Sequence, residues 1–183
     1  MEEKRYKVRI EGVRPLLMHR YVPEGEKPKR SGEKHDHKED CLKALYRDKE
    51  GKIVVPSRCV KATIVNAAKE FKVPGKGNKT FKDYVKAGII IEPMDIPLIT
   101  PNGDPEKAWE IDLQPVVVKK ARITRARPRF DEWALEFDII IVDPIITSEN
   151  VKVFLENAGK YVGLLDGRPE YGLFKVTKFE KVE

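Results

Sequence analysis

The sequence predicts an α+β domain in which two helices pack on one face of an antiparallel sheet. Three observations favour this class: alternating apolar residues near the start of the chain, two segments with helical apolar spacing, and a closing alternating segment at 173–182. In chain order the elements are strand, helix, two strands, helix and strand, interrupted by long insertions. This is the βαββαβ order of a ferredoxin-like sheet. At 183 residues the chain suits a single domain, 1–183.

The first strand is predicted within residues 6–19, where Tyr6, Val8 and Ile10 share one face. Segment 20–52 is rich in polar residues, proline and glycine, so we expect an insertion that is partly mobile. A short helix at 38–47 is expected within it. A brief strand follows, at the apolar residues just before Ser57.

The two main helices are predicted at 58–71 and about 148–161. Ser57 is a suitable N-cap for the first. Its apolar residues recur at helical spacing: Val60, Ile64, Ala67, Ala68 and Phe71. Thr147 or Ser148 is expected to cap the second, whose buried stripe is Val151, Phe154, Leu155, Ala158 and Val162. Residues 89–99 are predicted to form an edge or bent strand, because Pro93 and Pro97 interrupt it.

Residues 110–142 are predicted to form a basic β-hairpin. Alternating patterns on both sides of residue 130 place its turn near Phe130 and Trp133, and the second strand ends in the apolar IIIV segment, which we expect to be buried. The first strand carries six cations without an acidic residue among them: Lys119, Lys120, Arg122, Arg125, Arg127 and Arg129. Cations beside aromatic residues favour binding to a phosphate backbone and its bases. The alternative is a solvated hairpin whose cations pair across the strands.

Composition narrows the class of protein. The net charge is +6, the isoelectric point is about 9.2, charged residues make up 36% of the chain, and Gln114 is its single glutamine. This balance is typical of thermophile proteins. Cys41 and Cys59 have neither metal nor disulfide spacing, which indicates a reducing compartment. No apolar segment has the length of a signal peptide or a membrane span, so we expect a cytoplasmic protein without a membrane partner.

EGKIVVPSRCVKATIVNAAKEF is similar to the motif "y-I-P-G-S-S-l-K-G-a-l-R", with matches at Pro56, Ser57, Lys61 and Ala62. This motif is typical of the RAMP superfamily, which three segments of the chain resemble and whose members form the backbone and accessory subunits of CRISPR effector complexes. The family's glycine before the serines is missing, and Asn66 replaces its closing arginine. AGKYVGLLDGRPEYGLFKV resembles the family's glycine-rich segment at Gly163, Gly167 and Gly172, although Tyr171 replaces a usual glycine. VRPLLMHR is similar to the end of the family's first strand.

The resemblance implies a fold like that of the RNA-recognition motif, with ligand on the open face of the sheet. It is closest to the Cas-seven-like backbone branch, which stacks into filaments on nucleic acid in antiviral defence. The chain is shorter than most of that branch, so a minimal or virus- or plasmid-borne relative is an alternative. We therefore expect single-stranded RNA or DNA as ligand, homo-oligomers along the strand, and effector-complex subunits as further partners.

The candidate nucleic-acid-binding residues include the six hairpin cations with Phe130 and Trp133. The others are His19, Arg20, Arg58, Lys61, Gly163, Gly167, Arg168 and Gly172. His19 either contacts a nucleotide or caps the strand. The glycines either let phosphates approach the backbone or serve the fold, with Gly163 as a helix C-cap.

A catalytic function is the alternative hypothesis. The 20–52 insertion contains His35, Asp36, His37, Glu39 and Asp40, which could bind a divalent metal or activate a ribose hydroxyl. A polar loop does not hold groups to the tolerance that a catalytic site needs. We therefore expect a non-catalytic protein with no cofactor and no metal. The first alternative is a RAMP-type endoribonuclease using a loop Asp or His, and the second is an assembly or scaffold protein without nucleic acid.

Overall fold

The computed structural model describes residues 4–23 and 36–183, and these contain nine strands and four α-helices. The strands are β1 (Lys4–Gly12), β2 (Leu16–Leu17), β3 (Val54–Pro56), β4 (Ile89–Glu92), β5 (Asp95–Pro97), β6 (Trp109–Val118), β7 (Ala121–Phe130), β8 (Ala134–Ile141) and β9 (Phe174–Lys181). The helices are α1 (His37–Ala44), α2 (Ser57–Ala68), α3 (Lys82–Gly88) and α4 (Ser148–Asn157). A π-helical turn, Ala158–Val162, continues α4.

The strands form three antiparallel sheets. The largest has the strand order β4-β8-β1-β9, the second β2-β7-β6 and the third β3-β5. Along the chain, α2 lies between β1 and β4, and α4 lies between β8 and β9. The predicted α+β class with antiparallel sheets is confirmed, and the arrangement is consistent with an RRM-like fold.

One face of the four-stranded sheet lies on the hydrophobic core. Val8 on β1 is opposite Phe137 on β8, and both are buried, as the alternation in the sequence predicts. Buried residues of both long helices, among them Ile64 on α2 and Phe154 on α4, belong to the same core. The two helices also contact each other. The core therefore fixes α2 and α4 against the four-stranded sheet.

The other face of this sheet carries charged side chains of both signs, which form ion pairs with one another. We call it the neutralised face. Arg5 lies 2.9 Å from both Glu92 and Asp138, and Arg9 lies 2.6 Å from Glu136. Lys175 on β9 pairs with Glu11 on β1, and two further pairs, Arg9–Glu11 and Lys178–Glu180, lie within single strands. RNA-recognition motifs stack bases on aromatic residues of this face. Among the described strands it carries paired charges instead, so it does not suit a polyanion.

The helix starts agree only in part with the sequence prediction. Thr147 caps α4 through a capping box: its hydroxyl accepts from the Asn150 backbone N–H at 3.1 Å, and the Asn150 side chain accepts from the Thr147 N–H at 3.1 Å. Ser57 was predicted to be the N-cap of α2. Pro56 occupies that position instead, without a side-chain hydrogen bond, and Ser57 is the first helical residue.

The basic hairpin is built from different strands than the sequence pattern predicts. β6 pairs with β7, and the closing pair is Val118 with Ala121, so the turn is Lys119–Lys120. β7 and β8, which were predicted to pair, lie in separate sheets. The tip is therefore far along the chain from the predicted one.

Phe130 and Trp133 are consequently core residues. Their exposed fractions are 0% and 4%, where exposure at a hairpin tip was predicted. The Trp133 ring lies against Gly12, where an added Cβ would come within 2.2 Å of the indole nitrogen. That nitrogen donates to the Arg14 carbonyl oxygen at 2.9 Å, so the indole is satisfied inside the fold.

Part of the 20–52 insertion is folded. α1 packs against β7, with Cys41 and Ala44 buried. Asp36 is the N-cap of this helix and accepts from the backbone N–H groups of Lys38 and Glu39 at 3.0 and 3.3 Å. His35 lies outside the described residues. Throughout 4–23 and 36–183, the helices are too short or too polar to cross a bilayer.

Candidate nucleic-acid interface

The far end of the β6–β7 hairpin concentrates exposed positive charge. Lys119 and Lys120 form the turn with φ values of +49° and +68°, and Arg122 is exposed beside them. Positive φ at both central residues is typical of a type I′ turn, for which Asn-Gly is the favoured sequence. Lysine there costs local stability, and strained backbone of this kind clusters at functional sites. The turn therefore places charge at the tip at the expense of stability.

On one face of the same hairpin, β6 exposes three apolar side chains. Ile111, Leu113 and Val117 alternate along β6, with exposed fractions of 42%, 50% and 69%. Their partners on β7 are Pro128, Ala126 and Arg122. We call these three β6 residues the apolar stripe. Contiguous exposed apolar surface of this kind marks contact surfaces between proteins.

The base of the hairpin is fastened by Arg127. This side chain is 5% exposed, and its guanidinium donates to Asp166 at 2.6 Å and to the Gln114 side-chain oxygen at 3.1 Å. Asp112 lies 3.5 Å away on the neighbouring strand, and the Gln114 amide donates to the Tyr171 hydroxyl at 2.6 Å. Arg127 was predicted to contact nucleic acid. It instead joins the hairpin to the glycine-rich loop from within.

The glycine-rich loop also serves the fold at two of its predicted contact residues. Gly163 is buried, has φ +81°, and is the C-cap of the π-helical turn; its carbonyl oxygen accepts from the Thr63 hydroxyl at 2.9 Å. Gly172 is buried with φ +75°, and an added Cβ would lie 2.0 Å from the Leu164 carbonyl oxygen. Both glycines are needed for close backbone packing, not for phosphate approach. Gly167 is half-buried beside Tyr171.

Several predicted contact residues converge at the junction of the loop, α2 and the hairpin. Tyr46 lies near enough to Arg58, Asp166 and Arg20 for their charges to act on its pKa beside the effect of burial. Cys59 is in the same position relative to Arg58 and Arg168, and His19 relative to Arg125, Asp166 and Arg127. The cations come from four separate parts of the chain. We call this set the basic cluster: His19, Arg20, Arg58, Arg125 and Arg168.

The titrating groups at the basic cluster respond to burial and to its charge. Burial lowers the pKa of His19, Arg125 lowers it further, and Asp166 opposes the shift. Burial raises the pKa of the Cys59 thiol, with Arg58 and Arg168 acting against it. His19 is therefore held in its neutral form by burial and by the cations around it.

Lys61 and Arg129 are used within the fold. The Lys61 ammonium donates to the Ile89 carbonyl oxygen at 2.8 Å, which ties α2 to β4, and burial lowers its pKa. Lys61 was predicted to contact nucleic acid, and in the structure its ammonium makes this contact within the fold. Arg129 pairs with Asp131 at 2.6 Å, and this hydrogen bond raises the pKa of the arginine.

The acidic residues of the insertion have structural partners. Asp36 caps α1, and Glu39 pairs with Lys43 at 2.8 Å one helical turn away. Within the two described ranges, no group of three or more His, Cys, Asp or Glu side chains is arranged to hold a metal ion.

Asp112, Asp166 and Tyr171 are the site residues that sequence reasoning missed. Asp112 and Asp166 hold Arg127, and Tyr171 bonds Gln114 at the hairpin base. One indication of a role for Tyr171 was present in the sequence: it stands where the similar glycine-rich segment of the RAMP superfamily usually has glycine.

No family model and no curated protein matches the chain. Among solved structures, a chain of the cryo-EM structure of the Type III-B Cmr-beta bound to cognate target RNA matches with a TM-score of 0.61 and 11% sequence identity. The match covers 100% of this chain and 61% of that chain, so the present chain spans less than two thirds of its length. At this identity the likeness is one of fold and does not point to a specific family member.

Proposed function

We propose that this protein is a non-catalytic, RNA-binding subunit of the RAMP type. In this proposal a single strand crosses the basic cluster and continues along the hairpin to the Lys119–Lys120 tip. The observation that carries it is the convergence of cations from four separate segments beside an exposed cationic hairpin. Clustered cations of this kind bind phosphate backbones. The structural neighbour is a chain of a complex bound to target RNA, which favours RNA over DNA.

We assign β1, α2, β4, β8, α4 and β9 to the six elements of a ferredoxin-like βαββαβ unit. The sheet order β4-β8-β1-β9 supports this assignment, because the first and third strands of such a unit are central. The remaining elements are then insertions into the unit. The ligand surface then combines the β6–β7 hairpin with Arg58 on α2 and the glycine-rich loop, and it does not include the neutralised sheet face.

Single-strand preference is the direct test. Wild-type protein should bind a single-stranded RNA of about 30 nucleotides, several times the site size of a small binding fold, more tightly than the matching duplex. Substituting Arg58→Gln should weaken binding, because an exposed cation of the basic cluster is lost. Lys178→Gln, in the neutralised sheet face, is the matched control. Equal affinity for duplex and single strand, or equal loss in the control, would contradict the proposal.

Incubation of the RNA with magnesium or manganese separates this function from the ribonuclease alternative. We expect intact RNA at all times, because Asp36 and Glu39 are used in helix capping and pairing. Metal-dependent cleavage that Asp36→Asn abolishes, with the fold retained, would overturn the non-catalytic proposal.

Binding should strengthen as the pH falls. In the free protein the His19 pKa is lowered by burial and Arg125, so the histidine is neutral near pH 7. A phosphate at the cluster favours the charged imidazolium and raises that pKa, so binding takes up a proton. At constant salt, affinity should increase between about pH 8 and about pH 5.5, the range in which histidine titrates. In the His19→Gln variant, affinity should rise less over this pH range than in the wild type. The same pH dependence of affinity in both proteins would contradict contact at His19.

We propose that the apolar stripe docks on the next copy along the strand. Leu113→Ser with Val117→Ser should reduce assembly on a long single strand, measured by light scattering, without weakening binding to a short one. Val153→Ser, at an exposed residue of α4, is the matched control. If copies of the wild-type protein do not associate on a saturated long strand, the proposed contact between neighbouring copies is wrong.

A further inference from the structure

A cleft lies beside the glycine-rich loop, between the end of α2 and the π-helical turn. Its volume is about 720 Å³, and Asn66, Lys69, Tyr161 and Arg168 are among the residues that line it. Ligand pockets have volumes of about 300–1,000 Å³. The cleft is therefore large enough for one nucleotide.

Tyr161 offers an aromatic surface at this cleft. Its side chain is 61% exposed, and the Lys160 ammonium lies 5.1 Å from the ring centre. The π-helical turn that carries it is tightly packed: an added Cβ at Gly159 would lie 2.2 Å from the Phe174 carbonyl oxygen. π-Helical turns occur often at functional sites. An exposed ring on a fixed turn suits stacking against a nucleobase. Such stacking does not depend on sequence, because every base has an aromatic face.

Two cations, Arg168 and Lys69, line the cleft together with two acidic residues, Glu70 and Asp166. Arg168 is exposed and forms no ion pair within the described part of the chain, while Lys69 lies 3.8 Å from Glu70 in an exposed and therefore weak pair. Asp166, an acidic lining residue, is occupied by Arg127 at 2.6 Å. The two lining cations thus remain available to an anion.

Amide side chains complete the lining. Asn66 is exposed at the cleft, and Asn157 donates one amide hydrogen to the Val153 carbonyl oxygen at 2.9 Å, which leaves its side-chain oxygen free to accept. Amides of this type hydrogen-bond the edges of bases. An aromatic ring, cations and amides together match the base and phosphate of a nucleotide.

We propose that this cleft holds one nucleotide of the bound strand, with its base stacked on Tyr161 and its phosphate at Arg168 and Lys69. The inference rests on the proposed function, because Arg168 belongs both to the cleft and to the basic cluster. The strand leaving the cluster would turn its next base into the cleft. The ligand class is thus a single unpaired nucleotide within a longer strand.

The test uses single-stranded RNA that carries the fluorescent base 2-aminopurine at successive positions. Stacking on Tyr161 should quench the fluorescence of the base at one position in the wild type, and Tyr161→Ala should abolish this quenching and weaken binding about tenfold. Tyr161→Phe should retain both, because the ring is kept. Met94→Ala, at an exposed residue beside the sheet, is the matched control and should leave both unchanged.

The outcomes separate the two proposals. If Tyr161→Ala leaves affinity and quenching unchanged while Arg58→Gln weakens binding, the nucleotide cleft is wrong and the proposed function stands. If the wild type does not bind single strands, both are wrong. Circular dichroism of each variant checks that the fold is retained, which we expect because Tyr161 is exposed.

Discussion

Removing four exposed or half-exposed hairpin cations that lie nearer the tip than Arg127 should reduce affinity for single-stranded RNA about a hundredfold at about 0.1 M salt. The substitutions are Lys119→Gln, Lys120→Gln, Arg122→Gln and Arg125→Gln. Each phosphate contact on a single strand contributes about −0.7 to the slope of log affinity against log salt. Four such cations predict a contribution of about −3, which the quadruple variant should lose. Binding isotherms at several salt concentrations measure both quantities.

A second variant distinguishes loss of charge from loss of the hairpin. Lys119→Asn with Lys120→Gly replaces the lysines by the pair that a type I′ turn favours, so the turn should be at least as stable. Its salt slope should become shallower by about 1.4, because two cations that bind phosphate are removed. A quadruple variant that binds like the wild type, with an unchanged slope, would exclude the hairpin from the interface.

Arg127→Met should lower the free energy of unfolding by about 3–5 kcal/mol. The substitution leaves the carboxylate of Asp112 buried without its cation, and it breaks the connection between hairpin and loop at Asp166. Removing one partner of a buried ion pair is strongly destabilising because the other charge stays desolvated. Urea denaturation of both proteins measures the difference, provided that the unfolding free energy falls with urea concentration at the same slope in each.

The matched control is Arg129→Met, on the same strand. Arg129 pairs with the exposed Asp131, so its loss should cost at most about 1 kcal/mol. Similar stabilities for the two variants would show that Arg127 does not fasten the hairpin base. RNA affinity of the folded Arg127→Met protein then reports how far the interface depends on that connection.

The helices and outer strands were predictable because their patterns are local. α2 begins at Ser57 and α4 at Ser148, one residue or less from the predicted starts, since apolar spacing and capping residues act within one turn. β9, at Phe174–Lys181, lies within the predicted closing strand. Proline separated β4 from β5, as Pro93 indicated.

The hairpin was mispredicted because alternation identifies strands and not their partners. The segment around residue 130 contains Pro128 and Asp131, which are residue types typical of turns, whereas the real turn, Lys119–Lys120, contains no turn-forming residue. Which strands pair is decided by the core, where Phe130 and Trp133 are buried. That information depends on contacts between distant parts of the chain.

The candidate site was predictable in composition and not in arrangement. Basic residues at Arg58 and Arg168 were identified, but their proximity depends on α2 and the loop meeting in space. Burial of Arg127 was not predictable either, because its partner Asp166 is 39 residues away in the sequence. A charge pattern alone does not separate an arginine that holds the fold from one that faces solvent.

The neutralised face of the four-stranded sheet has a kinetic consequence. Because Arg5 and Arg9 are matched by carboxylates there, the chain's net charge of +6 must come from other surfaces. An uneven charge distribution gives the molecule a dipole, and a dipole rotates in the field of an approaching polyanion before contact. Encounters would then be oriented with the hairpin forward, and the association rate would fall steeply as ionic strength rises.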